Sequence, residues 1–320
     1  TILSDILLNP LFPPPEIERK IGELKARLKR MDEDPRQVAH LTVAKKMFGT
    51  HPYAFPEEGT LEALSSITRQ DIVRFYQTYY RPNNITMVVV GQISIEEGEK
   101  LLRPLFKDWE PKPVTRPVFP PVPLPARPVS EIIDRPITQA NIVWGHPGIA
   151  RSNPDFYALQ VMNYILGGGG FVSRLVDNIR DNLGLTYGIY SHFDAREYPG
   201  AFQIAVETKN QNANRALSEI IKEIRNLLEK GVSETELSEA KAYLTGSFPL
   251  RMDSNGKMVR LLSAMELYGL GSDFPEQYPK LINQITAEDV LNVARKYLHP
   301  DKFLLVVVGD QKEIQLKESW

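Results

Sequence analysis

The chain contains an internal repeat, and this feature limits its possible folds more than any other. The stretch from Ile67, "ITRQDIVRFYQTYYRPNNITMVVVGQ", aligns without gaps on the stretch from Ile285, "ITAEDVLNVARKYLHPDKFLLVVVGD". The two starting points lie 218 residues apart, and Asp71 in the first stretch pairs with Asp289 in the second. Each copy has the pattern of a helix, a proline turn and a β-strand. We interpret the chain as a tandem duplication of one structural unit.

A proline-rich segment lies between the two copies. Residues 109–130 read "WEPKPVTRPVFPPVPLPARPVS", a composition that favours extended polyproline geometry and a semi-rigid linker. We therefore predict a first domain in residues 1–108, a linker in 109–130 and a second domain in 131–320.

The second domain shows alternating strand and helix patterns. Strands are predicted at 131–146, in a pair over 185–208 and at 303–308, and helices at 154–166 and 171–182. A further helix carries one apolar stripe, made of Leu217, Ile220, Ile221, Ile224, Leu227 and Leu228. These patterns predict an α+β protein of two homologous α/β-sandwich domains, each with a mixed, largely antiparallel sheet packed against helices.

The first domain has only one convincing strand pattern, at residues 85–90. A single strand cannot satisfy its own backbone hydrogen bonds or form a sheet. Applying the 218-residue offset to the start of the second domain at residue 131 predicts that roughly ninety residues of the first copy precede Thr1. We therefore expect the first domain to lack its N-terminal portion in this chain.

The composition excludes several classes of function. The 38 basic and 40 acidic residues give a net charge of −2 without any block of like charge, which argues against a nucleic-acid or anionic-membrane partner. The absence of cysteine excludes disulfides, thiolate metal sites and cysteine nucleophiles. No apolar run approaches the roughly eighteen residues that a membrane span requires.

Several familiar site motifs are also missing. The glycine run 167–170 follows a helix and precedes no Lys-Ser/Thr pair, so we interpret it as a helix C-cap and connector instead of a phosphate cradle. The five histidines are too far apart in sequence for a local zinc pair of the HxxxH or HxxEH type. Neither GxSxG nor SxxK occurs, which leaves a serine hydrolase without support.

Arg180 and Tyr187 stand seven residues apart across a predicted helix-to-strand break. Arg180 falls at the end of the helix, where a cation meets the negative end of the helix dipole and Gly184 can cap the helix. Tyr187 falls two residues into the next strand, where tyrosine is common. On the residues alone, both positions are compatible with a purely structural role.

Four separated segments together resemble the pitrilysin/insulinase family of zinc peptidases. They are "NYILGGGGFVSRLVDNIRDNLGLTYGIYS", "EIERKIGELKARLKRMDEDP", "HPYAFPEEGT" and the twin "VVVG" strands, and they are most similar to the mitochondrial-processing-peptidase branch and its two-domain bacterial relatives. The resemblance implies peptidase-like domains that close like a clamshell around a peptide. It also implies that Arg180 and Tyr187 correspond to the arginine and tyrosine that the second domain of active members contributes to catalysis.

The zinc site of the family is not recognisable in this chain. Active members carry HxxEH on the first helix of domain one, and this motif is absent from the 320 residues, although its place would lie upstream. A downstream helix supplies the third ligand, a glutamate, and the two acidic positions of that helix fall here on Lys20 and Arg27. Because a guanidinium has no lone pair and stays protonated, Arg27 cannot bind zinc. A shifted register would use Glu16 and Glu23 instead, but it breaks the ungapped match that ends in "DEDP".

From the resemblance we expect a non-catalytic, substrate-binding subunit of a heterodimeric zinc metallopeptidase. This chain would hold no zinc of its own, and its partner would be a homologous subunit that carries HxxEH and the metal. Two alternatives stay open: an active zinc endopeptidase whose HxxEH segment is missing here, and a structural scaffold like the core proteins of respiratory complexes. The sequence leaves the compartment undetermined, since the periplasm and the cytoplasm of a bacterium are both compatible with it.

Overall fold

The chain folds into two compact units in a computed structural model that describes residues 2–314 and 316–317. The first unit comprises the residues up to 30 together with 57–119 and 248–272, and the second comprises 31–56, 120–247 and the residues from 273 onward. This grouping reflects proximity in space. The division of the chain at the proline-rich linker therefore stays a prediction about homologous domains.

The described residues form α-helices, several short 3₁₀- and π-helical segments, and a single group of hydrogen-bonded strands. In chain order, the helices are α1 (Ile2–Leu8), α2 (Pro14–Glu33), α3 (Pro35–Phe48), α4 (Leu61–Ser66), α5 (Arg69–Tyr79), α6 (Ile95–Leu102), α7 (Phe156–Asn163), α8 (Ala213–Lys230), α9 (Glu234–Gly246), α10 (Asn255–Leu267), α11 (Phe274–Gln284) and α12 (Ala287–Tyr297). The strands are β1 (Val129–Asp134), β2 (Gln139–Pro147), β3 (Thr186–Phe193), β4 (Ala201–Lys209) and β5 (Leu304–Gly309). None of the helices within 2–314 is long and apolar enough to cross a membrane.

The first unit contains helices and loops but no β-strand in its described residues. The predicted strand at residues 85–90 pairs with no other segment there. This prediction is wrong for the described structure because a strand is defined by its neighbours, and β-forming residues alone cannot supply them. The neighbouring helix α5 does form as predicted, and the Thr68 and Asp71 side chains close a reciprocal capping box at its start.

The second unit is built on a five-stranded sheet with the order β1-β5-β2-β4-β3. Strands β1 and β5 are parallel, and the remaining pairs are antiparallel. The predicted α+β class with a mixed, largely antiparallel sheet is thereby confirmed. The single strand predicted at 131–146 is two strands, because the run is interrupted after Asp134 by a segment that contains Pro136, which cannot donate to the ladder.

Both faces of this sheet are covered, and α3 covers one of them. Ala39 and Val43 of α3 pack against Val143 of β2, Ala205 of β4 and Val306 of β5 in one buried apolar cluster. Helices α7 and α8 pack on β3 and β4 with the rest of the helical layer. The stripe predicted on α8 is buried at Leu217, Ile220, Ile221, Ile224 and Leu227. The sheet is therefore a well-packed support for the segments that follow α7 in the chain.

Candidate functional site

The structure brings Arg180 and Tyr187 together at the start of the edge strand β3. Arg180 lies in a π-helical segment, Val176–Asn182, and the chain then reverses at Gly184 in a left-handed conformation (φ 60°). The N–H of Leu185 donates to the carbonyl of Ile179 at 2.9 Å, which ties the reversal to the end of the segment. Wide π-type turns are uncommon and recur at functional sites, so this local geometry is the one that positions Arg180.

The Arg180 side chain contacts the backbone of Tyr187. Its Nε donates to the carbonyl oxygen of Tyr187 at 3.1 Å, and its Nη1 donates to Oδ1 of Asp181 at 2.6 Å. Its Cζ is 4.7 Å from the centre of the Phe171 ring, a cation–π distance. Within the described part of the chain, Nη2 makes no hydrogen bond, so this edge of the guanidinium can still donate to a ligand.

Tyr187 is presented by a β-bulge. Thr186 pairs with Thr208 but Ile189 pairs with Val206, so Tyr187 and Gly188 together face one residue of β4. The Thr186 hydroxyl fills the irregularity, accepting from the Gly188 N–H at 3.0 Å and donating to a carbonyl of β4. Bulges redirect side chains at sheet edges. Tyr187 is 92% exposed as a result, an unusual state for a large aromatic residue in a strand.

A series of hydrogen-bonded polar side chains lies on the face of the sheet that α3 covers. The Nδ1 of His40 in α3 lies 3.1 Å from Oε1 of Gln203, and its Nε2 lies 3.3 Å from the hydroxyl of Tyr190 in β3. Burial lowers the pKa of His40 and also that of His192. Both imidazoles are therefore neutral at pH 7, and His40 holds the Tyr190 hydroxyl against α3 through its hydrogen bond.

A cavity of about 540 Å³ lies beside the bulge, inside the second unit. Its wall includes Tyr187 and Tyr190 of β3, Glu207 of β4, Asn141 of β2 and Arg36 of α3. The sequence analysis identified the tyrosine of the Arg/Tyr pair but missed the other four. No local signal could have found them, because they come from separate elements that only the folded sheet brings together.

The glycine run allows the segment after α7 to pack closely against β3 at this site. Gly167 lies in a second π-helical segment, Tyr164–Gly168, where a Cβ atom would come within 2.6 Å of the Ser191 hydroxyl and 2.8 Å of its backbone nitrogen in β3. Asn163 completes the contact, donating to the Ser191 carbonyl at 3.1 Å. The connector interpretation holds for Gly170, whose φ is 63°. Gly167 is instead required for close approach to the strand that carries Tyr187.

The two positions where the resemblance places acidic residues of the zinc-binding helix, Lys20 and Arg27, lie on α2 in the first unit, and both are exposed. The Nε of Arg27 forms an ion pair at 2.8 Å with Oε1 of Glu58, whose side chain is only 10% exposed. Lys20 lies 3.4 Å from Glu23. Arg27 therefore holds the loop around Glu58 to α2, and a cation occupies the position where the resemblance places the liganding glutamate.

The shifted register offers no better ligand set. Glu16 pairs with Arg19 at 2.8 Å, and Glu23 also contacts Arg19 on the same exposed face of α2. Residues 2–314 and 316–317 contain no group of three or more histidine, aspartate or glutamate side chains that could hold a metal ion. This arrangement is compatible with a chain that carries no zinc of its own.

Comparison with known proteins identifies the family. Residues 66–244, more than half of the chain, match the family model described as "Peptidase M16 inactive domain". A relative named "Uncharacterized zinc protease" from Streptomyces coelicolor is 26% identical over 98% of this chain and 69% of its own length. Another, named "Non-peptidase homolog YmxG", from Helicobacter pylori, is 23% identical over 98% of this chain and 72% of its own length.

A solved structure supports the same assignment. The crystal structure described as a peptidase M16 inactive domain from Pseudomonas fluorescens has a TM-score of 0.89 and 28% sequence identity, over 98% of this chain and 74% of that one. The fold, the quoted motifs and the family match agree. The chain belongs to the pitrilysin/insulinase family of peptidases, peptidase family M16, and matches its inactive domain.

Proposed function

We propose that this chain is the substrate-binding, non-catalytic subunit of a heterodimeric zinc metallopeptidase. The observation that carries the proposal is the pairing of a 92% exposed Tyr187 with Arg180 on an irregular, rigidly held strand end. An exposed aromatic ring stabilises the fold little, so its presentation by a bulge favours a role in contacting a ligand. The likeness to an inactive domain, and the name of the Helicobacter pylori relative, support a chain without its own hydrolytic centre.

In this proposal Arg180 and Tyr187 act on the main chain of a bound peptide. Zinc held by the partner would polarise the scissile carbonyl and activate water. The free Nη2 edge of Arg180 would hold a neighbouring carbonyl or carboxylate through the planar guanidinium, and the Tyr187 hydroxyl would donate to the developing oxyanion. Strand β3 is the last in the sheet order, so its outer edge can also pair with an extended peptide.

The two alternatives make different predictions. An active endopeptidase requires a zinc ligand where Arg27 now forms an ion pair with Glu58, and it predicts stoichiometric zinc and activity without a partner. A structural scaffold predicts that Arg180 and Tyr187 can be replaced without consequence for turnover. The exposure of Tyr187 favours the substrate-binding subunit over the scaffold, because a scaffold gains nothing from keeping the ring in solvent.

The test is a reconstituted complex of the full-length chain with an HxxEH-bearing homologue. Tyr187→Phe should reduce kcat on a peptide substrate by roughly two to three orders of magnitude, the usual cost of losing an oxyanion donor. Arg180→Lys should also reduce kcat, because an ammonium cannot reproduce the planar guanidinium contact. Tyr243→Phe, on a half-exposed ring of α9, is the matched control and should leave kcat unchanged. Size-exclusion chromatography should show the same complex for all variants.

Two results would overturn the proposal. Unchanged turnover in both variants would support the scaffold. Zinc at one equivalent in the purified full-length chain, together with peptide hydrolysis by that chain alone, would support the active endopeptidase.

A further inference from the structure

We infer that Thr186 is a positioning residue for Tyr187, because its hydroxyl fixes the peptide unit between Tyr187 and Gly188 and so sets the direction of the tyrosine side chain. The inference rests on the proposed function, since it concerns the group that would donate to the oxyanion. Thr186 is only 8% exposed, so it is not a group that touches the substrate. Its effect on the reaction is made through Tyr187.

The Tyr187 side chain is not held by polar or aromatic contacts of its own. It is 92% exposed, and within residues 2–314 and 316–317 it makes no side-chain hydrogen bond or ring contact with another residue. The direction of its Cα–Cβ bond is consequently set by the backbone on either side. A rotation of that backbone moves the hydroxyl furthest, because the hydroxyl lies at the far end of the side chain.

The peptide unit that follows Tyr187 is held at both of its polar ends. The carbonyl oxygen of Tyr187 accepts from Nε of Arg180 at 3.1 Å, and the N–H of Gly188 donates to Oγ1 of Thr186 at 3.0 Å. A bulge leaves its extra residue unpaired in the strand ladder. Here two side chains supply hydrogen-bonding partners, and together they fix the plane of the peptide.

The Thr186 hydroxyl is itself fixed in the sheet. Its Oγ1 lies 2.5 Å from the carbonyl oxygen of Glu207 in β4 and 2.8 Å from that of Gly188, so its single proton has an acceptor in either direction. Across the strands it faces Thr208, which is 2% exposed and donates in the opposite direction, to the carbonyl oxygen of Leu185. Two buried threonines therefore join β3 to β4 where the bulge begins.

The glycine at position 188 does not by itself produce the bulge. Its φ lies outside the left-handed region that would require glycine, and a Cβ atom there would meet no atom within 4 Å. A larger residue could therefore adopt the same backbone. Because the conformational freedom of Gly188 does not account for the geometry, the hydroxyl of Thr186 is the group on β3 that holds the bulge.

Amide exchange in the isolated full-length chain tests this contact. Selective ¹⁵N-glycine labelling allows NMR to follow the amide of Gly188, with Gly145 of β2 as the internal reference. Thr186→Val keeps the shape of the side chain but removes the hydroxyl, and it should accelerate exchange at Gly188 roughly tenfold, the effect of losing one hydrogen bond, without changing Gly145. Thr186→Ser keeps the hydroxyl and should behave like wild type.

A double-mutant cycle in the reconstituted complex tests the role in turnover. Thr186→Val should lower kcat on a peptide substrate by roughly ten- to a hundredfold and leave KM unchanged, because a misplaced donor weakens only the transition state. In the Tyr187→Phe background the same substitution should have no further effect on kcat, since the hydroxyl through which Thr186 acts is gone. Thr186→Ser should retain most of the wild-type kcat.

A matched control and a second variant separate this role from damage to the fold. Thr245→Val removes a hydroxyl that donates within α9, and it should change neither kcat nor KM. Thr186→Ala is a second variant without the hydroxyl and should act like Thr186→Val, and circular dichroism should show that all variants are folded.

Three results would overturn the positioning role while leaving the proposed function intact. They are unchanged exchange at Gly188 in the variants without the hydroxyl, a wild-type kcat in those variants, and a loss of kcat that is equally large in the Tyr187→Phe background. A wild-type kcat in Tyr187→Phe itself would instead overturn the proposed function, and the positioning role with it.

Discussion

The two copies of the repeat carry nearly the same strand sequence in two different states. In the second copy, β5 lies between β1 and β2, and Val307 is fully buried. In the first copy the equivalent residue, Val89, is 51% exposed and its segment pairs with no strand in residues 2–314. The helices before them are alike, since α5 and α12 both begin with a Thr-Asp capping box. Duplication therefore preserves local structure, whereas the strand depends on what surrounds it.

The largest expected difference between the two copies is the loss of stability when the equivalent valine, Val307 or Val89, is shortened to alanine. Val307→Ala should lower the free energy of unfolding of the second unit by roughly 2–3 kcal/mol, because a fully buried side chain leaves a cavity. Val89→Ala should change the stability of the first unit by less than about 0.5 kcal/mol, since the side chain is half-exposed. Hydrogen–deuterium exchange followed by mass spectrometry reports each unit separately. Equal losses in the two units would show that residues 85–90 are packed as a strand in solution.

A smaller effect is expected from an ion pair that joins two helical segments of the second unit. Arg174 contacts both carboxylate oxygens of Glu236, at 2.6 and 2.8 Å, and these contacts with Arg174, the largest cause, and with Ser233 lower the pKa of Glu236 to about 2. A lowered pKa stabilises the folded state above the unfolded pKa of about 4.3, and this stabilisation is lost as the pH falls towards 2. Allowing for partial exposure, Glu236→Gln should cost about 1–2 kcal/mol at pH 7.

This pair also distinguishes the two units by their response to acid. Exchange in the second unit should accelerate between about pH 4.5 and pH 2 in the wild-type chain and should be less pH-dependent in Glu236→Gln. Glu234→Gln, two residues earlier in α9 and exposed, is the control and should behave like wild type. An identical pH profile for Glu236→Gln and the wild-type chain would show that the ion pair contributes nothing to stability.

The smallest expected effect is the one that the copies should share. Thr68→Ala and Thr286→Ala each remove a capping hydroxyl and should destabilise α5 and α12 by about 1 kcal/mol. Hydrogen bonds from these threonines lower the pKa of Asp71 and of Asp289 in the same way. NMR titration of the two carboxyl groups should therefore show both pKa values rising towards normal in the variants. A response in only one copy would contradict the local equivalence of the repeats.

The sequence predicted what depends on neighbouring residues along the chain. The helices α5 and α12, the apolar stripe of α8 and the position of Tyr187 near the start of β3 follow from short-range patterns. Gly188 was a further signal, because a glycine within a strand pattern often marks a bulge. Contacts between distant segments could not be predicted. The cavity joins Arg36 to Glu207, and the Arg27–Glu58 pair joins a helix to a loop, through arrangements that only the folded units define.

The bulge at Tyr187 and Gly188 determines which face of the sheet each later side chain of β3 points to. With the extra residue in place, Ile189 and Ser191 are buried, and the hydroxyl of Tyr190 reaches His40. Side chains alternate with a period of two, so removing one residue from the bulge would exchange the two sets, placing aromatic rings in the helical layer and an isoleucine beside His40. The strand therefore tolerates substitution at Gly188 far better than deletion. Deleting one residue would disrupt the contacts on both faces of the strand at once.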